Sequence, residues 1–232
     1  MTNVFLALDN RELWNNVLNH LTPSHTVVTQ FLTGKLDLDY LSANYQTSEK
    51  EECIAILVES LLSASVSKIR ELLLSEPAVN TVSAANIPQF SNFATAVIYL
   101  PELLLISSTQ LTYRELGYSL FSETRSDGAA EKYGQNHGNL AMQLGLAAVV
   151  KMNNKNVYCP TPLTAAYCHL EQTEKMALLQ RLCFRIPIIQ IAIRSETPIA
   201  AIDECLQTTL AKSTYMRRKS NVLEVLAFAL GE

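Results

Sequence analysis

Residues 111–160 read LTYRELGYSLFSETRSDGAAEKYGQNHGNLAMQLGLAAVVKMNNKNVYCP, and the order of signals inside this stretch decides the fold. Thr112-Tyr-Arg-Glu115 has the spacing of a capping box, in which hydroxyl and carboxylate each satisfy the other residue's free backbone N–H. Leu111 and Leu116 occupy the two positions of a hydrophobic staple, so a short helix is expected from about Tyr113 to Phe121. A polar connection, Ser122 to Asp127, leads to a second helix from about Gly128 to Leu144. That helix is expected to bury Ala129, Tyr133, Leu140, Ala141 and Leu144, with Gly145 as its C-terminal cap. Two short apolar runs, Leu146–Met152 and Val157–Pro160, flank Asn153-Asn-Lys-Asn156, whose turn chemistry predicts a hairpin. Helix, connection, helix and hairpin follow one another as in a winged helix, and Pro162 to Leu170 resumes helix after it.

Upstream, the pattern is helical. Asp9 and Glu12 have capping-box spacing ahead of Leu13, Trp14, Val17, Leu18 and Leu21, and further helices are expected over about Ser24–Leu32, Glu49–Leu62 and Ser65–Leu74. Residues 75–95, rich in Ser, Asn, Thr and Pro, are the best candidate linker. Downstream, Thr197-Pro198 opens a helix through Ile199, Ile202, Cys205, Leu206 and Leu210. A second helix begins near Thr214 and carries Tyr215, Val222, Leu223, Leu226 and Leu230 on its apolar side. The expected fold is mainly α: a helical N-terminal bundle over 1–100, a winged helix over 101–170, and a helical region over 171–232 with a second helix-turn-helix.

With 232 residues, 48% of them apolar and 17% charged, the chain can bury a large core and is too hydrophobic to be disordered. Apolar runs such as Leu144–Val150 and Ile186–Ile193 fall well short of the ~18 residues a membrane span needs, so no membrane role is expected and the cytoplasm is the default. Five scattered cysteines imply buried thiols in a reducing compartment. The net charge of −4 is uneven: 1–100 carry five Lys/Arg against ten Asp/Glu, 101–170 five against five, and 171–232 eight against seven. A polyanion, if bound, is expected to meet the second half.

Two surfaces can carry recognition. On the helix over 128–144, Lys132, Gln135, Asn136, Asn139 and Gln143 are spaced to form one polar stripe within about 100° of arc. Asn is a poor helix former, so its recurrence asks for a reason, and carboxamides pair in bidentate fashion with adenine in the major groove. A solvated helix face and a protein contact remain open beside that reading. The second surface is Arg217-Arg218-Lys219, the densest basic cluster, which would meet phosphate near a helix N-terminus. His137 reads better as a residue that packs or bonds locally than as part of a nuclease site, and Cys159, Cys168 and His169 lack zinc spacing.

Glu131–Leu146 and Lys212–Leu223 resemble the helix-turn-helix and winged-helix modules of bacterial restriction-modification and related defence proteins. The resemblance implies contact with double-stranded DNA by Lys132, Gln135, Asn136, Asn139, Arg217, Arg218 and Lys219. It also implies a nuclease or other effector subunit nearby. The chain departs from the pattern in lacking tryptophan in its last helix.

Catalytic templates fail at their least replaceable residues. No lysine has Asp, Glu or Gln two positions before it, and there is no His-x-Lys, no Gly-x-x-x-x-Gly-Lys and no Gly-x-Ser-x-Gly. No cofactor or metal is expected. Asp37, Asp39, Glu51 and Glu52 read as solvent-facing charges. The expectation is a non-catalytic DNA-binding regulator or recognition component, with Lys155 at the hairpin tip on phosphate and Gln143 completing the stripe. Its modest positive charge favours a homodimer or larger complex. The alternative is a protein-interaction subunit.

Overall fold

Apolar side chains at three- and four-residue spacing, broken by Pro, Gly and capping residues, divide the chain into helices. The computed structural model describes residues 2–78, 82–107, 110–121 and 126–231. Five helices come first: α1 (Thr2–Leu18), α2 (Ser24–Leu32), α3 (Leu38–Asn44), α4 (Thr47–Ser63) and α5 (Val66–Ser75). Residues 2–8 contain neither glycine nor proline, so α1 runs on through Asp9 and the box expected there does not open a helix. α3 was not anticipated. Asp37 caps it by accepting from the backbone N–H groups of Asp39 (2.8 Å) and Tyr40 (3.4 Å), and its carboxylate faces solvent as expected while doing so. α4 is the centre of this part, with Leu57 and Leu61 fully buried.

A single 3-10 turn at Ala84–Asn86 and a π-helical turn at Thr95–Tyr99 lead into α6 (Leu100–Ile106). Then come β1 (Leu111–Thr112), α7 (Tyr113–Ser119), α8 (Asp127–Gln143), β2 (Ala148–Met152) and β3 (Lys155–Cys159). The capping box forms as expected: Thr112 Oγ1 accepts from Glu115 N–H (3.3 Å) while the Glu115 carboxylate accepts from Thr112 N–H (2.8 Å). Residues 122–125 of the expected connection lie outside the described residues. The hairpin is present, but a third strand joins it. The sheet is antiparallel in the order β1-β3-β2, with Tyr158 opposite both Leu111 and Val149. Its two-residue turn places Asn153 (φ 48°) and Asn154 (φ 63°) in the left-handed region, which asparagine tolerates better than most residues.

The chain closes with α9 (Pro162–His169), α10 (Gln172–Leu182), α11 (Pro187–Ile193), α12 (Pro198–Thr209) and α13 (Lys212–Leu230). The fold is thus mainly helical with one small antiparallel sheet. Among the described residues no single helix is long and apolar enough to cross a membrane. Gln172–Arg185 and Pro187–Ile193 bend by 86°, and their side chains Leu178, Leu182, Ile188 and Ile189 are fully buried in the core.

The last carbonyls of a helix have no partner within it. Here donors from residues 181–194 supply them across the molecule. Arg181 Nε donates to Ala64 O at the end of α4 (2.9 Å), and Arg185 Nε (3.3 Å) and Gln190 Nε2 (2.9 Å) donate to Phe31 O and Leu32 O at the end of α2. Arg194 donates to Leu73 O in the last turn of α5. Arg185 also lies 4.8 Å from the centre of the Phe31 ring. Burial pulls the pKa of Arg181 and Arg185 down, and Asp37 and Asp39 oppose this at Arg185. Three arginines of the basic second half are therefore committed to the interior, where a cation also complements the negative end of a helix.

Gln190 is buried and donates to Phe184 O (2.8 Å) as well as to Leu32 O. Gln190→Leu keeps the volume and strips both carbonyls of their donor, so it is expected to cost about 3 kcal/mol. The cost is read from the urea midpoint at an unchanged slope. A loss under about 1 kcal/mol would show that other donors replace it.

Candidate nucleic-acid interface

α7 and α8 cross in backbone contact. A Cβ on Gly134 would lie 2.0 Å from Tyr113 O, and one on Gly117 would lie 1.8 Å from Ala130 O. This crossing buries Ala130 (1% exposed) and leaves Ala129, expected in the core, on the surface. The sheet docks on α8 at Gly138, where a Cβ would meet the Tyr158 ring at 2.2 Å. The Tyr158 hydroxyl donates to Asn139 Oδ1 (2.8 Å), with Gln135 O at 3.1 Å. Burial pushes the Tyr158 phenol well above its ordinary range.

A third side of α8 is covered by residues 82–91, the expected linker. Ile87 and Phe90 anchor this segment in the core, and the rest is held by side chains rather than by regular backbone pairing. Gln143 Nε2 donates to Ala85 O (3.3 Å), and Asn221 Nδ2 of α13 donates to Phe90 O (2.9 Å). Arg218 of α13 donates to Ala84 O and to Ile87 O (3.5 Å). His137, fully buried, donates from Nδ1 to Tyr133 O (2.9 Å), which leaves Nε2 as acceptor for Ser91 N–H (3.4 Å). Its ring lies 3.8 Å from that of Tyr133, the packed and locally bonded role read from the sequence. Three of the pinning side chains each have one buried polar atom without a protein partner among the described residues: Gln143 Oε1, Arg218 Nε and Asn221 Oδ1.

The expected stripe is consequently split. Lys132 and Gln135, in the N-terminal half of α8, are exposed. Asn136 and Asn139 are half-buried and border a crevice of about 40 Å3 with Ala84, Ala85, Ile87, Gln89 and Arg218. Asn139 serves the sheet through Tyr158, and Gln143 serves the 82–91 segment. One continuous exposed row of amides, as the periodicity implied, is not what the chain presents. Lys155 begins β3 and is exposed at the hairpin tip, bordering a groove of about 480 Å3 with Arg114, Glu131 and Asn154. Arg114 is paired with Asp127 (2.6 Å) and lies 3.9 Å from Glu131.

The C-terminal cluster is also divided. α13 begins at Lys212, so Arg217, Arg218 and Lys219 lie in its second turn rather than at its exposed first N–H groups. Arg218 is engaged with the 82–91 segment. Lys219 pairs with Asp203 (2.7 Å), which also accepts from the Tyr215 hydroxyl (2.6 Å). These contacts raise the pKa of Lys219 and lower that of Asp203. Arg217 is exposed, with no ion pair among the described residues. Lys151 on β2 is exposed too and was missed; strand alternation places it on the Tyr158 face of the hairpin, towards α8.

Among the described residues no three His, Cys, Asp or Glu side chains gather as a metal site would require. Burial pushes the Cys53 thiol up to about 11, and Cys159 and Cys168 also shift upward through burial, so none of these is an activated nucleophile. Comparison with known protein families, with curated proteins and with solved structures finds no match.

Burial lowers the pKa of His137. Above about pH 6.5, the ordinary value for an unfolded chain, neither state holds the proton and stability is complete. As pH falls through that value the unfolded chain protonates first, so stability declines until the lower native pKa is passed. The urea midpoint is expected to drop between pH 7.5 and 5.5, with a smaller drop in His137→Gln. Equal drops would assign the effect elsewhere.

Proposed function

We propose that the chain is a non-catalytic protein that binds duplex DNA through a winged helix. The observation that carries this reading is the arrangement of residues 95–159: helix, β1, α7, α8, β2, β3, with strand order β1-β3-β2 and the exposed end of α8 beside the β2–β3 hairpin. In this reading α8 enters the major groove by its N-terminal half, with Gln135 on a base edge and Lys132 within reach of guanine or phosphate. Lys151 and Lys155 on the hairpin and Arg217 on α13 supply phosphate contacts, while Lys219 stays with Asp203. The exposed positive charge is small, so binding by one chain is weak. A homodimer or an effector subunit, with the early helices as its contact surface, would supply the remaining affinity. Action as a regulator or as the recognition part of a defence or mobile-element system follows from the resemblance alone.

A second reading, protein contact through the same hairpin, is favoured by Val150 and Met152, which are 38% and 45% exposed. They share the face of Val157 and Lys155 in the antiparallel register.

Fluorescence polarisation with random and selected duplexes between 50 and 200 mM salt separates the two. The DNA reading expects salt-sensitive binding, with Lys132→Ala and Lys155→Ala each reducing the log–log salt slope by about one. Gln135→Ala is expected to lower discrimination among sequences more than non-specific affinity. Equal losses on all sequences would remove base reading, and absence of salt-sensitive binding would leave the protein-contact reading.

A further inference from the structure

We propose that residues 82–91 are a latch that competes with DNA for the inner half of α8. The inference rests on the winged-helix reading and assigns its regulation. In the closed state described above, the segment covers Asn136 and Gln143 and occupies Arg218, leaving Lys132 and Gln135 as the uncovered part of the same helix face.

The latch is built to give way. Its backbone groups at Ala84, Ala85, Ile87, Phe90 and Ser91 are held by side chains of α8 and α13, with no strand partner among the described residues. Each of the three amide or guanidinium side chains that hold it has a second buried polar atom with no protein partner among the described residues. Lifting the segment opens the side chains that hold it to solvent, and hydrogen bonds to water then offset part of the lost contacts. The occupant that opens it is the DNA backbone. Arg218 holds neutral carbonyls when closed, and a phosphate offers the same guanidinium a charge-assisted, bidentate partner. On release Arg218 joins Arg217 as a phosphate contact, and Asn136 and Gln143 extend the amide face begun by Gln135. Asn139 remains with Tyr158 in either state.

Two measurements on the full chain test this. In native-state hydrogen exchange, amides of residues 82–91 are expected to open locally, with little urea dependence, and to lose further protection on addition of duplex while α4 does not change. Exchange of these amides only through global unfolding would overturn the latch, whatever the DNA result. In binding, Ile87→Ser removes the apolar anchor, whereas Ser91→Pro removes the N–H accepted by His137 and fixes the local backbone but leaves the Ile87 and Phe90 side chains in place. Each folded variant is expected to bind duplex about tenfold more tightly than the parent and to show a salt slope steeper by about one, from the freed Arg218. Unchanged or weaker binding by variants that retain parental helicity would overturn the latch and leave reading by Lys132 and Gln135 intact. Absence of salt-sensitive binding by the parent and both variants would instead sink the DNA reading, and the proposed competition with it.

Discussion

The structure depends on carbonyl groups at the ends of three early helices and on donors that arrive more than a hundred residues later. The pairs Arg181–Ala64, Arg185–Phe31, Gln190–Leu32 and Arg194–Leu73 are separated by 117, 154, 158 and 121 positions. At Ala64 and Leu32 the distant donor meets a terminal carbonyl that no cap N–H reaches, and at Phe31 and Leu73 it adds a second hydrogen bond to the one donated by Gly34 or Glu76 N–H. The interior is correspondingly continuous: Trp14, Phe31 and Leu57 belong to the same apolar cluster as Phe184, Ile189 and Val222. This also changes the meaning of the charge asymmetry. The basic balance of the second half looks like an attraction to polyanions, yet much of it answers the dipoles and carbonyls of the acidic first half.

α8 shows the same economy at one helix. Gly134 admits α7, Gly138 admits the ring of Tyr158, and His137 and Gln143 receive the 82–91 segment. A helix so enclosed has little surface left to offer, and what it offers is its first half. The amides that stood out in the sequence divide accordingly: Asn139 and Gln143 complete hydrogen bonds inside the molecule, Asn136 is half-buried beside the 82–91 segment, and Gln135 is exposed. An unusual density of asparagine and glutamine on a helix therefore has two physical causes here, and the face containing them does not distinguish the two.

What was legible in the sequence was local. The Thr112–Glu115 box, the cap at Gly145 (φ 80°) and the Asn153–Asn154 turn depend on neighbours a few positions away, and their chemistry is specific enough to be read directly. What was not legible depended on distant partners. Ala130 rather than Ala129 is buried because Gly117 comes to meet it, and neither helix alone contains that information. Residues 75–95 have the composition of a linker, and the signal against it was small: Ile87 and Phe90, three positions apart in a polar stretch, are the anchors that hold it down. Adjacency in sequence does not make the basic triplet one patch. On a helix, successive residues point about 100° apart, and Arg217, Arg218 and Lys219 go to solvent, to the 82–91 segment and to Asp203 respectively.

The long-range helix caps also set the timing of biogenesis. A ribosome adds on the order of 10 residues per second, so α2, α4 and α5 leave the exit tunnel roughly ten seconds before Arg181, Arg185, Gln190 and Arg194 exist to cover their ends. For that interval the early helices lack the later side chains that share their apolar cluster, such as Phe184, Ile189 and Val222. The early helices are complete only once residues 181–194 have been made and have packed against residues 31–73.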